Sequence, residues 1–267
     1  MITLSKNEKN QVVCSKELNF CIETAEGRKF VKRGNEFNLF GELLGMRIAR
    51  LVGLNCPKYD WTKINNIKYL LSDDIGKGGE FLLAKQALNI KYNSLYQIQS
   101  QIKKVFPNQQ NELMKDIVKI YIIDILTMNF DRNSKNWGIK IINGKLEVWI
   151  FDNEYVFLND GFPVIYFNKF TSDVKHKNDI DSFLYHISED VKNFLSSNEN
   201  FYQYLFSEIL SILTPTVIEF ITREVVKEIR QEPSGEIFIK DYYKVYEHFK
   251  NMVVKNNTIV VNTRIEE

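Results

Sequence analysis

The sequence predicts an α+β molecule of bilobal plan, with a small β-rich amino-terminal lobe over 1–75 and a larger, mostly helical carboxy-terminal lobe over 76–267. Two observations lead there. Strand-like runs crowd the chain before residue 75 around one amphipathic helix, whereas from residue 111 onward apolar residues recur mostly at helical spacing. That helical half is interrupted once, by an apolar hairpin centred on Asn143-Gly144. A chain of 267 residues, 44% of them hydrophobic, suits one such domain and can bury a sizeable core.

Phe20–Glu23 and Arg28–Lys32 read as two strands joined by a turn at Glu26-Gly27. Asn38–Val52 is an amphipathic helix with Leu39, Leu43, Met46 and Leu51 among its apolar positions; Gly53 stops it and Pro57 lies beyond. Ile67–Ser72 is a further strand. Ser72–Ile75 is the candidate hinge, and Gly76-Lys77-Gly78-Gly79 the linker between lobes. Asn111–Met128 is apolar almost all round, which predicts a buried helix. It is too short, and too interrupted by Asp116, Lys119 and Asp124, to span a bilayer. Residues 155–180 are irregular and stand as a candidate activation or substrate segment, with Thr171 and Ser172 as phosphoacceptors. Helices follow over Ile180–Leu195, Phe201–Leu213, Pro215–Arg230 and Ile237–Lys255. Their aromatic and aliphatic stripes are core positions.

Chemistry concentrates between the buried helix and the hairpin. Asp131 and Asn136 have the D-x-x-x-x-N spacing of a kinase catalytic loop, and Asp152 follows. In that chemistry the first Asp accepts the proton of the attacking hydroxyl. The Asn and the second Asp hold metal on the ATP phosphates. The spacing alone is common; the hairpin adds weight to it. A two-residue Asn143-Gly144 turn makes paired residue numbers sum to 287. Trp137 then faces Ile150, Ile139 faces Val148 and Ile141 faces Leu146, while Lys140 faces Glu147 on the other side. The same rule sets Phe151 opposite Asn136 and Asp152 opposite Lys135, so both metal-ligand candidates emerge at the open end of one hairpin.

Asp124–Gly138 (D-I-L-T-M-N-F-D-R-N-S-K-N-W-G) resembles the HipA-like kinases, especially their compact bacterial, CtkA-like branch. The similarity runs in order over most of residues 20–160. Phe30-Val31-Lys32 resembles the family's lysine strand, and Glu42–Pro57 its helix bearing the lysine's glutamate partner. The resemblance implies a protein-kinase-like fold and an ATP- and Mg²⁺-dependent serine/threonine protein kinase that phosphorylates itself or another protein. Asp131 would be the base. Asn136 and Asp152 would hold metal. Lys32, oriented by Glu42, would hold phosphates, with Ser72 and Asp73 at the hinge side of the nucleotide. Lys29 and Arg33 are rivals for Lys32. Family members often act as toxins silenced by an antitoxin-like partner. The family's loop histidine is Asn133 here, which can keep hydrogen bonds but cannot act as a base.

Two other functions compete. A small-molecule phosphotransferase of aminoglycoside or choline kinase type shares the loop and an acidic pair such as Asp152 and Glu154. It usually carries His where this chain has Asn129. A non-catalytic nucleotide-binding or interaction module is suggested by the missing G-x-G-x-x-G loop and by Asn133; no P-loop motif occurs either, and Leu4–Val13 is the candidate for a phosphate-covering loop. The balance of 35 basic and 34 acidic residues predicts no nucleic-acid groove. Cys14, Cys21 and Cys56 are odd in number and lack C-x-x-C spacing, and His176, His186 and His248 are scattered; neither set makes a disulfide framework or a zinc site. With no signal peptide or membrane segment, the expected location is the cytoplasm.

Overall fold

The computed structural model describes residues 19–24, 27–33, 36–64, 66–76, 78–90, 95–129, 132–154, 156, 157, 184, 191, 200–229 and 241–253. Several sequence expectations lie outside these residues: the loop Leu4–Val13, Asp131, Thr171 and Ser172, and most of the helix over Ile180–Leu195.

The chain is a mixed α/β structure with two small sheets. Strands β1 (Asn19–Thr24) and β2 (Gly27–Arg33) form the expected first hairpin. Helix α1 (Glu36–Leu51) follows, then β3 (Tyr59–Ile64) and β4 (Ile67–Asp73). These four strands make one antiparallel sheet in the order β1-β2-β4-β3. Strand β3 was not expected. Its local signal was Asn66, which takes φ 64° just before β4 and so serves as a left-handed turn residue without glycine, with Ile64 paired to Ile67.

Strand β5 (Glu80–Leu83) leads into helix α2 (Ala84–Leu88), and α3 (Leu95–Val105) precedes the long helix α4 (Gln110–Leu126). The expected linker at 76–79 therefore runs straight into a strand. Strand β5 joins β6 (Trp137–Ile142) and β7 (Lys145–Ile150) in a second sheet of order β5-β6-β7. The register of β6 on β7 is the one the Asn-Gly turn dictates, including Trp137 with Ile150 and Lys140 with Glu147. Asn143 and Gly144 both have positive φ, as a type I′ turn requires. Lys140 does not simply face solvent beside Glu147. It is 6% exposed, because β5 covers its edge, and its ammonium sits 4.8 Å from the Trp149 ring centroid.

Helix α4 fills the centre of the main core, buried on nearly every side as its apolar sequence demands. Helices α5 (Asn200–Ile212), α6 (Pro215–Ile229) and α7 (241–253) pack around it and α1, with Phe206, Tyr242 and Phe249 fully buried. Ile22, Val31, Tyr69 and Leu71 form a smaller cluster on the first sheet. Among the described residues no single helix is long and apolar enough to cross a membrane.

Candidate functional site

The end of α4 sets up the site. Thr127 and Met128 close the helix, and Asn129 folds back, its backbone N–H donating to the Asp124 carbonyl (2.9 Å) and its side chain to Asp124 Oδ1 (3.0 Å). Asp124 is buried inside α4 and faces Arg132. Burial pushes its carboxyl pKa up, against the opposing pull of the Arg132 guanidinium.

Arg132 is the hub of the loop. Its Nε donates to Asp124 Oδ2 (3.0 Å), its Nη1 to the carbonyls of Asn136 (3.0 Å) and Phe151 (2.7 Å), and its Nη2 to Asn153 Oδ1 (2.6 Å). One planar guanidinium thus ties together the helix end, both ends of the hairpin and the segment after it. Asn133 shapes the turn between: its side chain accepts from the Lys135 N–H (2.9 Å), and its carbonyl from the Asn136 N–H (3.0 Å). Asp131 itself lies outside the described residues, between the anchored Asn129 and Arg132.

Asn136 is buried, and its carbonyl accepts from the Phe151 N–H (3.1 Å), as the hairpin register implies. The ladder ends there. Asp152 turns off in the left-handed region at φ 58°, unusual for an aspartate, and Tyr59 Oη accepts its N–H (3.3 Å). Asp152 therefore leaves the strand end one residue beyond Asn136's partner.

From the other sheet, Lys32 on β2 reaches the same point. Its ammonium lies 3.0 Å from Asp152 Oδ1, contacts Glu154 Oε2, and stands 3.7 Å from Glu42 Oε1 on α1. The other Glu42 oxygen accepts the Asn153 N–H at 2.7 Å. Burial opposes the charge on Lys32, but Glu42, Asp152 and Glu154 more than offset it and raise its pKa above the usual lysine value. Glu42 is 2% exposed; burial, then the charge of Asp152, pushes its carboxyl up to about 7 in spite of Lys32. Strand alternation separates the lysine rivals. Phe30 and Lys32 face the cleft, whereas Lys29 points to the other side and pairs with Asp73 at 2.6 Å.

A cleft of about 710 Å³ opens between the two sheets, large enough for a nucleotide. Lys32, Glu42 and Asp152 stand at one part of its wall, and the apolar side chains of Phe30, Leu70, Phe81 and Phe151 line it elsewhere. Ser72 and Asp73, at the end of β4, also border it.

The side chains of Lys32, Glu42 and Asp152 come together at the cleft wall, and Asn136 lies at the neighbouring strand end; Glu154 as a partner of Lys32 and the Asp124–Arg132–Asn153 network were not expected from the sequence. The signal for Glu154 was its i+2 spacing from Asp152. The signal for Asp124 was a carboxylate inside an otherwise apolar helix, which must find a cation. The oxygens of Glu42, Asp152 and Glu154 can come within 4.8 Å of one another. An all-oxygen set of this kind suits a hard divalent cation such as Mg²⁺.

No sequence-family model matches the chain, and no curated protein matches it. Solved structures do. The proinflammatory kinase CtkA of Helicobacter pylori is similar over 91% of this chain and 95% of its own, with a TM-score of 0.57 at 14% identity. HipA of Shewanella oneidensis MR-1, solved with HipB and operator DNA from a toxin–antitoxin system, is similar over 90% of this chain, with a TM-score of 0.57 at 15% identity. The chain spans 64% of that HipA. At these identities the likeness is one of fold, and that fold is kinase-like.

Proposed function

We propose that this chain is an ATP- and Mg²⁺-dependent serine/threonine protein kinase of HipA-like type, built as an amino-terminal lobe over 1–75 and a carboxy-terminal lobe over 76–267 around the 710 Å³ cleft. The observation that carries the reading is Lys32 on one sheet converging with Glu42, Asp152 and Glu154 at the wall of that cleft. A lysine braced by a buried glutamate beside a carboxylate at a hairpin end is the arrangement phosphoryl transfer uses.

In this reading adenine packs against the apolar wall made by Phe30, Leu70, Phe81 and Phe151, with Ser72 and Asp73 alongside. Lys32 turns from Asp152 and Glu154 to the phosphates and stays braced by Glu42. Asn136 and Asp152 hold Mg²⁺, with Glu154 within reach, and the ion supplies neutralisation of the charge developing on the transferred group. Asp131 takes the proton of the attacking hydroxyl. Arg132, the next residue, ties the Asp124 side chain on α4 to the carbonyls of Asn136 and Phe151, which gives the loop that carries the proposed base fixed anchors. An antitoxin-like protein partner, self-phosphorylation and a cytoplasmic location belong to the same reading.

The contact of Glu154 with Lys32 favours one second reading, a small-molecule phosphotransferase, because that class uses an acidic pair two residues apart. Incubation with labelled ATP and Mg²⁺, followed by mass spectrometry of the intact chain and its peptides, tests the proposal. Phosphate on Ser or Thr supports the protein kinase. Phosphate transferred only to added aminoglycoside or choline would replace it with the second reading.

A further inference from the structure

Tyr59 opens β3, in the first sheet, yet its hydroxyl reaches the strand end of the second. Its place is set from several sides. The loop ahead of it is fastened to β7: the Asn55 carbonyl accepts the Ile150 N–H (2.9 Å), and Asn55 Nδ2 donates to the Val148 carbonyl (3.3 Å). The Tyr59 N–H donates to Sδ of Met46 on α1 (3.2 Å), and its backbone pairs with Ser72 of β4. The side chain is buried and lines the same cleft as Lys32, Glu42 and Asp152. Burial, then the charge of Glu42, pushes its hydroxyl pKa well up, so the phenol is neutral and adds no charge to the carboxylates around it.

Asp152 needs such a neighbour. The hairpin ladder ends where the Phe151 N–H donates to the Asn136 carbonyl, and Asp152 then enters the left-handed region at φ 58°. A non-glycine residue keeps that conformation only where its surroundings over-determine it. An N–H that has left the ladder must also find another acceptor. Tyr59 Oη is that acceptor, at 3.3 Å. Lys32 holds the other end of the residue, 3.0 Å from Oδ1. Two side chains of the first sheet thus hold Asp152, one by its main chain and one by its carboxylate. A nucleotide that draws Lys32 to its phosphates leaves the bond to Tyr59 in place. We propose that Tyr59 is a positioning residue for Asp152: its hydroxyl fixes the aspartate's backbone, and with it the aim of the carboxylate at a divalent cation. The proposal rests on the reading of Asp152 as a metal ligand given above.

The test is calorimetric titration of the full chain with ATP, once with Mg²⁺ and once in excess chelator. Tyr59→Phe keeps the ring and removes only the hydroxyl. Its ATP affinity with Mg²⁺ should fall roughly three- to tenfold, the range one hydrogen bond supports. Its affinity in chelator should not change, whereas a residue that merely supports the fold would weaken both alike. Tyr69→Phe removes another buried hydroxyl of the same sheet, outside the cleft wall, and should change neither. A second measurement needs no variant to fold: in the native chain the Asp152 amide should exchange its hydrogen with water as slowly as the ladder amide of Phe151. Equal Mg²⁺-dependent affinity in Tyr59→Phe and the native chain, equal losses with Mg²⁺ and in chelator, or rapid exchange at Asp152 in the native chain would each overturn the proposal while the cleft's reading stood. Absence of Mg²⁺-dependent ATP binding in the native chain would overturn that reading, and the proposal with it.

Discussion

Lys32 stands where three carboxylates meet, and the acid most altered by that neighbourhood is Glu42. Its pKa of about 7 in the folded chain lies above the ordinary 4.5, so the fold holds a proton that the unfolded chain releases. Its contribution to stability is complete below pH 4.5 and is lost as pH rises toward 7. At about 1.4 kcal/mol per pKa unit the swing is on the order of 3 kcal/mol. Glu42→Gln removes the titration and keeps the shape. Urea unfolding at pH 5 and pH 7.5 should show the variant gaining on the native chain by about that amount at the higher pH; a difference that does not change with pH would mean Glu42 is ionised throughout. Lys32 works in another window, since its raised pKa supports the fold below 10.5 and is lost only above it.

Asp131 and Asp152 should fail differently when changed to Asn. Asp131→Asn should leave nucleotide affinity nearly intact and lower phosphotransfer by about 10²–10⁴. Asp152→Asn should weaken Mg²⁺-dependent nucleotide binding itself, because it removes a formal charge from the metal site. Titration of both variants beside their turnover separates the roles, and binding lost in Asp131→Asn but kept in Asp152→Asn would reverse the assignment. The place of Asp152 was legible because its spacing is local: a two-residue turn fixes the hairpin register, and Phe151 pairs with Asn136 just before it. Glu154 and Asp124 were not, because their partners Lys32 and Arg132 are brought by tertiary packing.

At the scale of the element, α1 is shaped to receive the strand-end segment 152–154. Gly41 and Gly45 lie one turn apart on the helix, and that segment packs directly on them. A Cβ on Gly41 would fall 2.9 Å from the Asn153 carbonyl and closer still to that of Glu154. One on Gly45 would meet Cγ of Asn153 at 2.9 Å. The close approach is what lets Glu42, between the two glycines, accept the Asn153 N–H. Helix propensity alone would make Gly45→Ala stabilising by about 1 kcal/mol. Here overpacking should win, with a net loss of about 1–3 kcal/mol, since the colliding atoms belong to a buried segment rather than a free side-chain end. Thermal melts of Gly45→Ala should show the loss, and the same variant should bind Mg²⁺ and nucleotide less tightly. An unchanged or raised Tm would mean the segment can move off the helix without cost. The glycines were visible in the sequence, but their reason was not, because the atoms they make room for lie about a hundred residues away.

For the whole molecule, elements with strong local signals were readable: the Asn-Gly hairpin, the apolar helix α4 and the helices α5 and α6. Strands β3 and β5 escaped because each gains its stability from a neighbour already in place, β4 in one case and β6 in the other, and β5 is only four residues long. The cleft exists only once both sheets are assembled, since its wall takes residues from each.

On the proposed reading, this cleft takes a nucleotide with a divalent cation. Thermal unfolding of the chain with ATP, with and without Mg²⁺, tests it most directly. A ligand at about 100 times its dissociation constant adds about 2.7 kcal/mol of stability. Tm should rise by an amount of that origin with Mg²⁺, much less with ATP in excess chelator, and show no Mg²⁺-dependent rise in Asp152→Asn. No shift with any nucleotide, or a shift indifferent to both Mg²⁺ and Asp152, would contradict it.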